Sequence, residues 1–133
     1  MPENLLVITA LPDPAAGERL AVLLVERGLA ACVNIGPPIK SVYRWEDRLE
    51  KGTEVMLTIK TSRERYPQLE NAIVDGHPYE LPEVIAVPIT GGLNEYLSSL
   101  APSQFSADSK PVSAFIHSHF ISSGNGASND SSG

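Results

Sequence analysis

The chain has 133 residues, 42% of them hydrophobic and 20% charged, and this size and composition indicate one globular domain with a core of its own. A net charge of −6 with dispersed basic residues argues against nucleic acid as a partner, because neutralising phosphates requires a surplus of Lys and Arg. The single cysteine, Cys32, excludes an intrachain disulfide and a cysteine-rich zinc module. No secretory leader and no apolar run of about 20 residues is visible, so we predict a cytoplasmic protein with no membrane partner.

The beginning of the chain predicts a strand followed by a helix. Residues 4–10 (NLLVITA) form a short apolar run that is typical of a buried strand. Asp13 is a good N-cap, and Pro14 suits the first helical position. Apolar residues then recur at helical spacing until Gly28, which is a natural residue for the end of a helix.

The next segment predicts a long antiparallel hairpin. Residues 32–35 are extended, and the Gly-Pro-Pro sequence at 36–38 predicts a bulge or bend before the strand continues over 39–46. The polar residues 47–52 are predicted to form the turn. Residues 53–61 (TEVMLTIKT) alternate between apolar and polar side chains, as in a strand with one buried face.

The remaining part of the domain predicts a second helix and a fourth strand. The helix opens at Ser62, or nearer Tyr66 because the following proline removes an early N–H group, and it ends at Gly76. Residues 83–89 are predicted to form a buried strand, and residues 93–100 a short helix. The order β-α-β-β-α-β is a split βαβ arrangement, an α+β fold with an antiparallel sheet and two helices on one face.

The domain is predicted to cover residues 1–100, and an atypical Ser-rich tail covers 101–133. Within the tail, residues 112–121 are apolar enough for an extra strand. Residues 122–133 contain no large apolar side chain, so we predict that they are disordered. The long hairpin strands leave exposed edges, and such edges predict pairing with another copy of the chain.

The stretch HPYELPE, residues 77–83, contains the best candidates for a metal site. His77 with Glu80 and Glu83 offers imidazole and carboxylate ligands, which suit Cu(II) and Zn(II). In the alternative interpretation the two prolines stiffen the entry to a strand, Tyr79 packs, and the glutamates are solvated or paired. A second His or Cys at metal-ligand spacing is missing nearby, and this favours the structural alternative.

The hairpin carries a second group of candidates, Tyr43, Arg44 and Trp45. They form either a platform for a ligand or a patch at a subunit interface, and the interface is favoured because aromatic residues and Arg are enriched there. No GxSxG sequence and no Gly-rich phosphate loop is present, so no enzyme is predicted. An acid–base alternative uses Tyr79, Glu80 and Lys60.

Four stretches, in matching order and spacing, resemble the CutA divalent-cation tolerance family: LAACVNI (29–35), SVYRWEDRLEKGTE (41–54), IKTSRERYPQLE (59–70) and HPYELPEVIAVPI (77–89). The resemblance covers about residues 4–97. It implies a ferredoxin-like fold that assembles as a homotrimer, with strand edges paired between subunits. It also implies a role in tolerance of copper and other divalent cations, with Cu(II) bound by some members. No cofactor is expected to be required for folding.

The chain departs from this family at several positions. Bacterial members with proposed copper ligands use a Cys at the end of the first strand and a His-His pair before Pro-Tyr. Here Thr9 and Gly76 stand at two of those positions, and only His77 matches. The usual Tyr-Leu-x-Trp ending is replaced by YLSS at residues 96–99, which removes apolar area from the packing of a trimer.

Two hypotheses on function follow. In the first, the protein is a homotrimer that binds divalent cations, with Cu(II) as the leading candidate and His77 as the best single ligand. In the second, it is a regulatory trimer similar to PII-type signalling proteins, and the cleft between subunits binds a small molecule or a protein loop. The candidate residues of that cleft or interface are Tyr43, Arg44, Trp45, Lys60 and Tyr79.

Overall fold

The computed structural model describes residues 3–101, which contain four strands and three helices. In chain order they are β1 (Asn4–Leu11), α1 (Pro14–Glu26), β2 (Cys32–Trp45), β3 (Arg48–Ser62), α2 (Tyr66–Gly76), β4 (Ile85–Pro88) and α3 (Asn94–Ser98). The predicted order β-α-β-β-α-β is confirmed, and the short helix predicted over 93–100 is present as α3. The predictions of a strand at 112–121 and of disorder at 122–133 lie outside the described residues.

The four strands form one antiparallel sheet in the order β2-β3-β1-β4. The first strand is therefore central, with β3 on one side and β4 on the other. This is the strand order of the ferredoxin-like fold, so the predicted α+β class is confirmed. The sheet has two long strands at one side and a four-residue strand at the other.

Both long helices pack on the same face of the sheet and close a single main core. Alternate residues of β1 and β3, such as Val7, Leu57 and Ile59, point towards the helices and are fully buried. The helix α1 contributes Leu24, and α2 contributes Ile73. Burial of these apolar side chains is the main force that holds the two layers together.

The ends of α1 agree with the sequence signals. The Asp13 carboxylate accepts a hydrogen bond of 2.8 Å from the backbone N–H of Ala16, and Pro14 occupies the first turn. After the helix, Gly28 adopts a φ of 68°, a left-handed conformation that other residues reach only at a steric cost. The helix α2 begins at Tyr66, because residues 63–65 form a turn rather than the first helical residues.

The turn of the hairpin is shorter than the sequence suggested. Only Glu46 and Asp47 form it, both with positive φ (49° and 64°), and the strand resumes at Arg48. Two left-handed central residues make the tight turn that matches the twist of paired strands. The prediction of a turn over 47–52 was therefore wrong, because polar residues on an exposed hairpin resemble turn residues. The predicted bulge is confirmed by a register shift between Ile35 and Pro38.

The fourth strand differs from its prediction in length and in burial. It covers Ile85–Pro88 instead of 83–89, and all four residues are exposed. It lies at the edge of the sheet, paired only with β1. An apolar run predicts a buried strand only if both faces are covered, and within residues 3–101 no element covers β4 on its outer side or on the face away from the helices.

Candidate cation-binding cleft

A cleft forms where the hairpin extends past the end of the central strand. The last residue of β1, Leu11, pairs with Val55, whereas β2 and β3 continue together to Trp45 and Arg48. The loop between α2 and β4 lies beside this projecting hairpin. Together the loop and the hairpin enclose a space of about 820 Å³. The cleft is lined by Ala10, Ser41, Val42, Tyr43, Trp45, Glu50, Gly52, Thr53, Glu54, Tyr79, Glu80, Leu81 and Glu83.

His77 attaches the loop to the end of β1. Its side chain is only 8% exposed, and its Nε2 lies 2.7 Å from the carbonyl oxygen of Ala10. Because a carbonyl can only accept, Nε2 carries the proton and donates it. The other ring nitrogen, Nδ1, accepts a hydrogen bond of 3.1 Å from the backbone N–H of Tyr79. Both ring nitrogens are therefore engaged, and a metal ion at either one has to displace a hydrogen bond.

Tyr79 connects the loop to the hairpin. Its hydroxyl donates a hydrogen bond of 3.1 Å to the carboxylate of Glu54, and its ring lies 4.9 Å from that of His77. Burial, followed by the hydrogen bond and the negative charge of Glu54, raises the pKa of Tyr79 to about 12. The phenol is therefore protonated at neutral pH and remains a donor to Glu54.

The cleft combines carboxylates with aromatic rings. Four glutamates line it, from both the hairpin and the loop, together with three aromatic side chains, and none of its lining residues is basic. Tyr43 and Trp45 are 50% and 62% exposed, so large areas of both rings face solvent. The chemistry of this lining favours a positively charged ligand.

The structure brings together most, but not all, of the residues that the sequence singled out. Tyr43, Trp45, Tyr79, Glu80 and Glu83 all line the cleft. Arg44 is absent from the lining. Its neighbours Tyr43 and Trp45 on β2 line the cleft, as does Val42.

Lys60 lies at the far end of β3. It pairs with Leu6 and Cys32, donates a hydrogen bond of 3.0 Å to the side-chain oxygen of Asn34, and sits 5.8 Å from the ring centre of Tyr96. The acid–base group of Tyr79, Glu80 and Lys60 is therefore not assembled within one copy of the chain.

The ligands proposed for the family's copper site do not form such a site here. Thr9 is fully buried, and its hydroxyl oxygen has no hydrogen-bond partner among the described residues. A hydroxyl does not replace the soft thiolate that favours copper. Over residues 3–101, no group of three or more His, Cys, Asp or Glu side chains is placed to hold a metal ion. The residues of one copy therefore do not fit a preformed Cu(II) site.

Sequence reasoning did not identify Glu50 and Glu54 as site residues. Both lie on the polar face of β3, and the alternation of residues 53–61 already placed Glu54 on that face. Its contact with Tyr79 joins residues 25 apart in the chain, so no local pattern indicates it. The signal that was available is the hairpin register, which places Glu50 opposite Tyr43.

A second surface of interest is the face of the sheet turned away from the helices, which we call the open face. Its apolar residues are half-buried or exposed, and they follow from the register: Leu6 is opposite Val87, Ile8 is opposite Ile85, and Met56 lies next to them on β3. Apart from α3 at one end, no described element covers this face. A contiguous apolar surface of this kind is typical of a contact with another protein.

The chain is similar to proteins of one family along most of its length. The family model described as CutA1 divalent ion tolerance protein matches residues 5–102. Protein CutA, chloroplastic, from Arabidopsis thaliana is 43% identical over 97 residues, which are 73% of this chain and 53% of the relative. The divalent-cation tolerance protein CutA of Thermus thermophilus is 39% identical over 94 residues, which are 71% of this chain and 91% of the relative.

A solved structure agrees with these sequence matches. The crystal structure of CutA1 from the psychrotrophic bacterium Shewanella sp. SIB1 has a TM-score of 0.75 and 41% identity, and the match covers 80% of this chain and 98% of that one. The chain spans about half the length of the Arabidopsis relative. Between residues 3 and 101, no helix is both long and apolar enough to cross a membrane. The cytoplasmic location stays a prediction.

Proposed function

The chain belongs to the CutA1 divalent ion tolerance family, and from this premise we propose that it acts in divalent-cation tolerance as a homotrimer that binds the cation between its copies. The observation that carries the proposal is the open face. Within residues 3–101 the apolar side chains of Leu6, Ile8 and Val87 have no covering layer, whereas the other face of the sheet has an ordinary core. The number of copies follows from the family resemblance.

The long hairpin supports assembly by a second route. The strand β2 has 14 residues and lies at the edge of the sheet, so its outer N–H and C=O groups are available to another strand. Edges of this length are normally covered, shortened or paired in stable proteins. Pairing between copies satisfies these groups and also buries exposed side chains such as Val42 and Leu49.

The cation is bound, in this proposal, by carboxylates from more than one copy. Glu80 and Glu83 are exposed on the loop side of the cleft, and one copy alone does not supply a third ligand group to them. Carboxylate oxygens favour hard divalent cations such as Mn²⁺, Mg²⁺ and Ca²⁺. Copper needs the imidazole of His77, whose two nitrogens already form hydrogen bonds. We therefore propose a hard divalent cation ahead of Cu(II).

A calorimetric titration tests this proposal on the full-length chain. The variant H117A/H119A serves as background, because it removes the two histidines that precede the last residues of the tail. We expect Mn²⁺ to bind to this background variant. We expect Glu83→Gln to lower the affinity for Mn²⁺ by at least tenfold, which corresponds to about 1.4 kcal/mol of binding free energy. Glu64→Gln, at an exposed position outside the cleft, is the matched control and leaves the affinity unchanged.

Two results contradict the proposed cation site. One is binding of Mn²⁺ that is equally strong with and without Glu83, because the carboxylate then takes no part. The other is tight Cu(II) binding that His77→Ala abolishes while Glu83→Gln does not, which restores the copper site of the sequence prediction. The alternative of a PII-type regulatory trimer stays a prediction without support from the comparisons.

A further inference from the structure

We propose that His77 is a pH-sensitive latch, which holds the loop between α2 and β4 while its ring is neutral and releases this loop when the ring gains a second proton. The loop comprises residues 77–84 and forms one wall of the cleft. This inference goes beyond divalent-cation tolerance, because it concerns the conformation of the loop rather than a ligand. It rests on hydrogen bonds within one copy and does not depend on the proposed cation site.

Few hydrogen bonds attach this loop to the rest of the described chain. Its two prolines have no N–H group, and within residues 3–101 no backbone–backbone hydrogen bond joins residues 77–84 to another part of the fold. The hydrogen bonds that remain involve side chains: two are on the ring of His77, and one runs from the hydroxyl of Tyr79 to Glu54. The imidazole is therefore the main polar attachment of the loop.

The two nitrogens of the neutral ring have different roles. Nε2 donates to the carbonyl of Ala10 at 2.7 Å, and Nδ1 accepts from the backbone N–H of Tyr79 at 3.1 Å. A second proton goes to Nδ1, because only this nitrogen still has a free lone pair. The resulting imidazolium has two donors and no acceptor, so the N–H of Tyr79 then faces another N–H. The bond to Ala10 survives protonation, whereas the bond to the loop is lost.

A proton can reach the ring from the helix side of the fold. His77 is 8% exposed and lines a pocket of about 400 Å³. The lining of this pocket comes from α1 and the turn before it, from the end of α2 and from the first two residues of the loop. The open face and the edge of β2, which the proposed trimer covers, contribute no residue to it. Protonation of the ring therefore requires none of the surfaces that are buried in the proposed trimer.

The charged groups around the ring come from several elements. On the pocket side they are Asp13 and Arg19 from α1 and the turn before it, and Asp75 from α2. On the cleft side, the ring of Tyr79 lies 4.9 Å from the imidazole and its hydroxyl binds Glu54. The strand β1 has no titratable side chain. Histidine ordinarily changes its charge between about pH 5 and 8, which makes it the usual pH switch of proteins. Because carboxylates outnumber the single guanidinium in the pocket, the loss of the acceptor rather than charge repulsion releases the loop.

Nuclear magnetic resonance tests the latch on the full-length H117A/H119A variant, in which His77 is the only histidine. The nitrogen chemical shifts of the ring report protonation of Nδ1. The hydrogen-exchange protection factor of the Tyr79 amide, which is corrected for the intrinsic effect of pH, reports the bond to the ring. We expect this factor to fall at least tenfold between pH 7.5 and 5.5, in step with protonation of the ring. The amide of Leu29, which donates to the carbonyl of Leu24 at 3.0 Å, is the internal control and keeps its protection.

Two substitutions at position 77 separate the two hydrogen bonds. His77→Asn places an amide oxygen near the position of Nδ1, where it accepts the N–H two residues later as in an Asx turn, and it does not titrate. We expect the Tyr79 amide of this variant to have the same protection factor at both pH values. His77→Gln places its amide farther from the backbone, so it can donate to Ala10 but leaves the Tyr79 amide unprotected at both.

Asp75→Asn is the matched control for the pH dependence. It removes a carboxylate from the same pocket and leaves the ring in place, so we expect the pH dependence of the background variant. Thermal melts followed by circular dichroism check that each variant is folded.

Three outcomes overturn the inference. A ring that stays neutral down to pH 5 cannot act as a switch. A doubly protonated ring beside a Tyr79 amide that is as protected as at pH 7.5 shows that this bond does not hold the loop. A pH dependence that persists in His77→Asn belongs to another group. These measurements use no metal ion, and Mn²⁺ binding and the molecular mass of the same preparation are measured separately, so failure of the latch is distinguishable from failure of the proposed function.

Discussion

The two faces of the sheet differ in how far the described residues cover them. The face under α1 and α2 is closed by the chain itself, and residues such as Leu57 and Ile59 are fully buried there. The open face carries apolar residues at the alternate positions of the same strands, and Ile85 and Val87 remain 48% and 43% exposed. The side chains of the covered face therefore stabilise a single copy, whereas the open face holds the apolar side chains that the proposed trimer covers.

The strongest test of this comparison uses neighbouring residues of one strand. Leu57 faces the helices and Met56 faces away from them. We expect Leu57→Ala to lower the free energy of unfolding by about 2–5 kcal/mol, because it leaves a cavity in a closed core. Met56→Ala is the matched change on the open face. Urea denaturation at a fixed protein concentration measures both, and an equal loss for the two variants contradicts the distinction between the faces.

A charge on the open face should affect assembly before it affects folding. Val87 lies at the edge strand, paired with Leu6 of β1. We expect Val87→Glu to break the proposed homotrimer, because a buried unpaired carboxylate costs several kcal/mol in an interface. The far-ultraviolet circular dichroism of the copy should be retained, since no residue of the closed core is changed. Analytical ultracentrifugation measures the mass. A trimer that survives the substitution places the interface elsewhere.

His77→Ala should have a smaller effect, and one that is structural. The substitution leaves the carbonyl of Ala10 without its donor and releases the loop that leads to Tyr79. We expect a loss of about 1–3 kcal/mol in the free energy of unfolding, as for other buried hydrogen bonds that lose one partner. Asp75→Asn, an exposed change on the last turn of α2, is the control. A variant as stable as the wild type shows that the ring does not hold the loop.

The smallest effect concerns Tyr79 and alkaline pH. Its folded-state pKa of about 12 lies above the ordinary value of 10.0, chiefly because of burial and then because of Glu54. The protonated phenol of Tyr79 therefore stabilises the folded state fully below about pH 10, and this stabilisation is lost as the pH rises towards 12. The reason is that the phenol loses its proton at a lower pH in the unfolded state than in the folded state. We expect Tyr79→Phe to lose less stability than the wild type over this interval. Thermal melts at pH 9, 10 and 11 measure it, and parallel curves contradict the assignment.

Local signals were sufficient to predict much of the fold. The cap at Asp13, the stop at Gly28 and the bulge after Ile35 each depend on the backbone chemistry of a few adjacent residues, and all three are present. The alternation of residues 53–61 gave the correct faces of β3. These features are readable because their energies come from neighbours in the sequence.

The predictions failed where distant partners decide the structure. The residues 48–52 extend a strand because β2 pairs with them, although their polarity resembles that of a turn. The run at 83–89 is apolar, but only four of its residues form a strand, and that strand is exposed. The orientation of His77 depends on Ala10, which lies 67 residues earlier in the chain. The sequence alone therefore did not decide whether His77 is a metal ligand or a structural residue.

The most direct test of the account is the mass of the wild-type protein in solution. In the proposed homotrimer other copies cover the open face and the edge of β2, and three copies of the 14.3 kDa chain have a mass of about 43 kDa. Sedimentation equilibrium of the full-length protein, over a range of micromolar concentrations, should give this mass at neutral pH. A mass of 14.3 kDa at every concentration contradicts the account, because the open face is then stable in water without a partner copy.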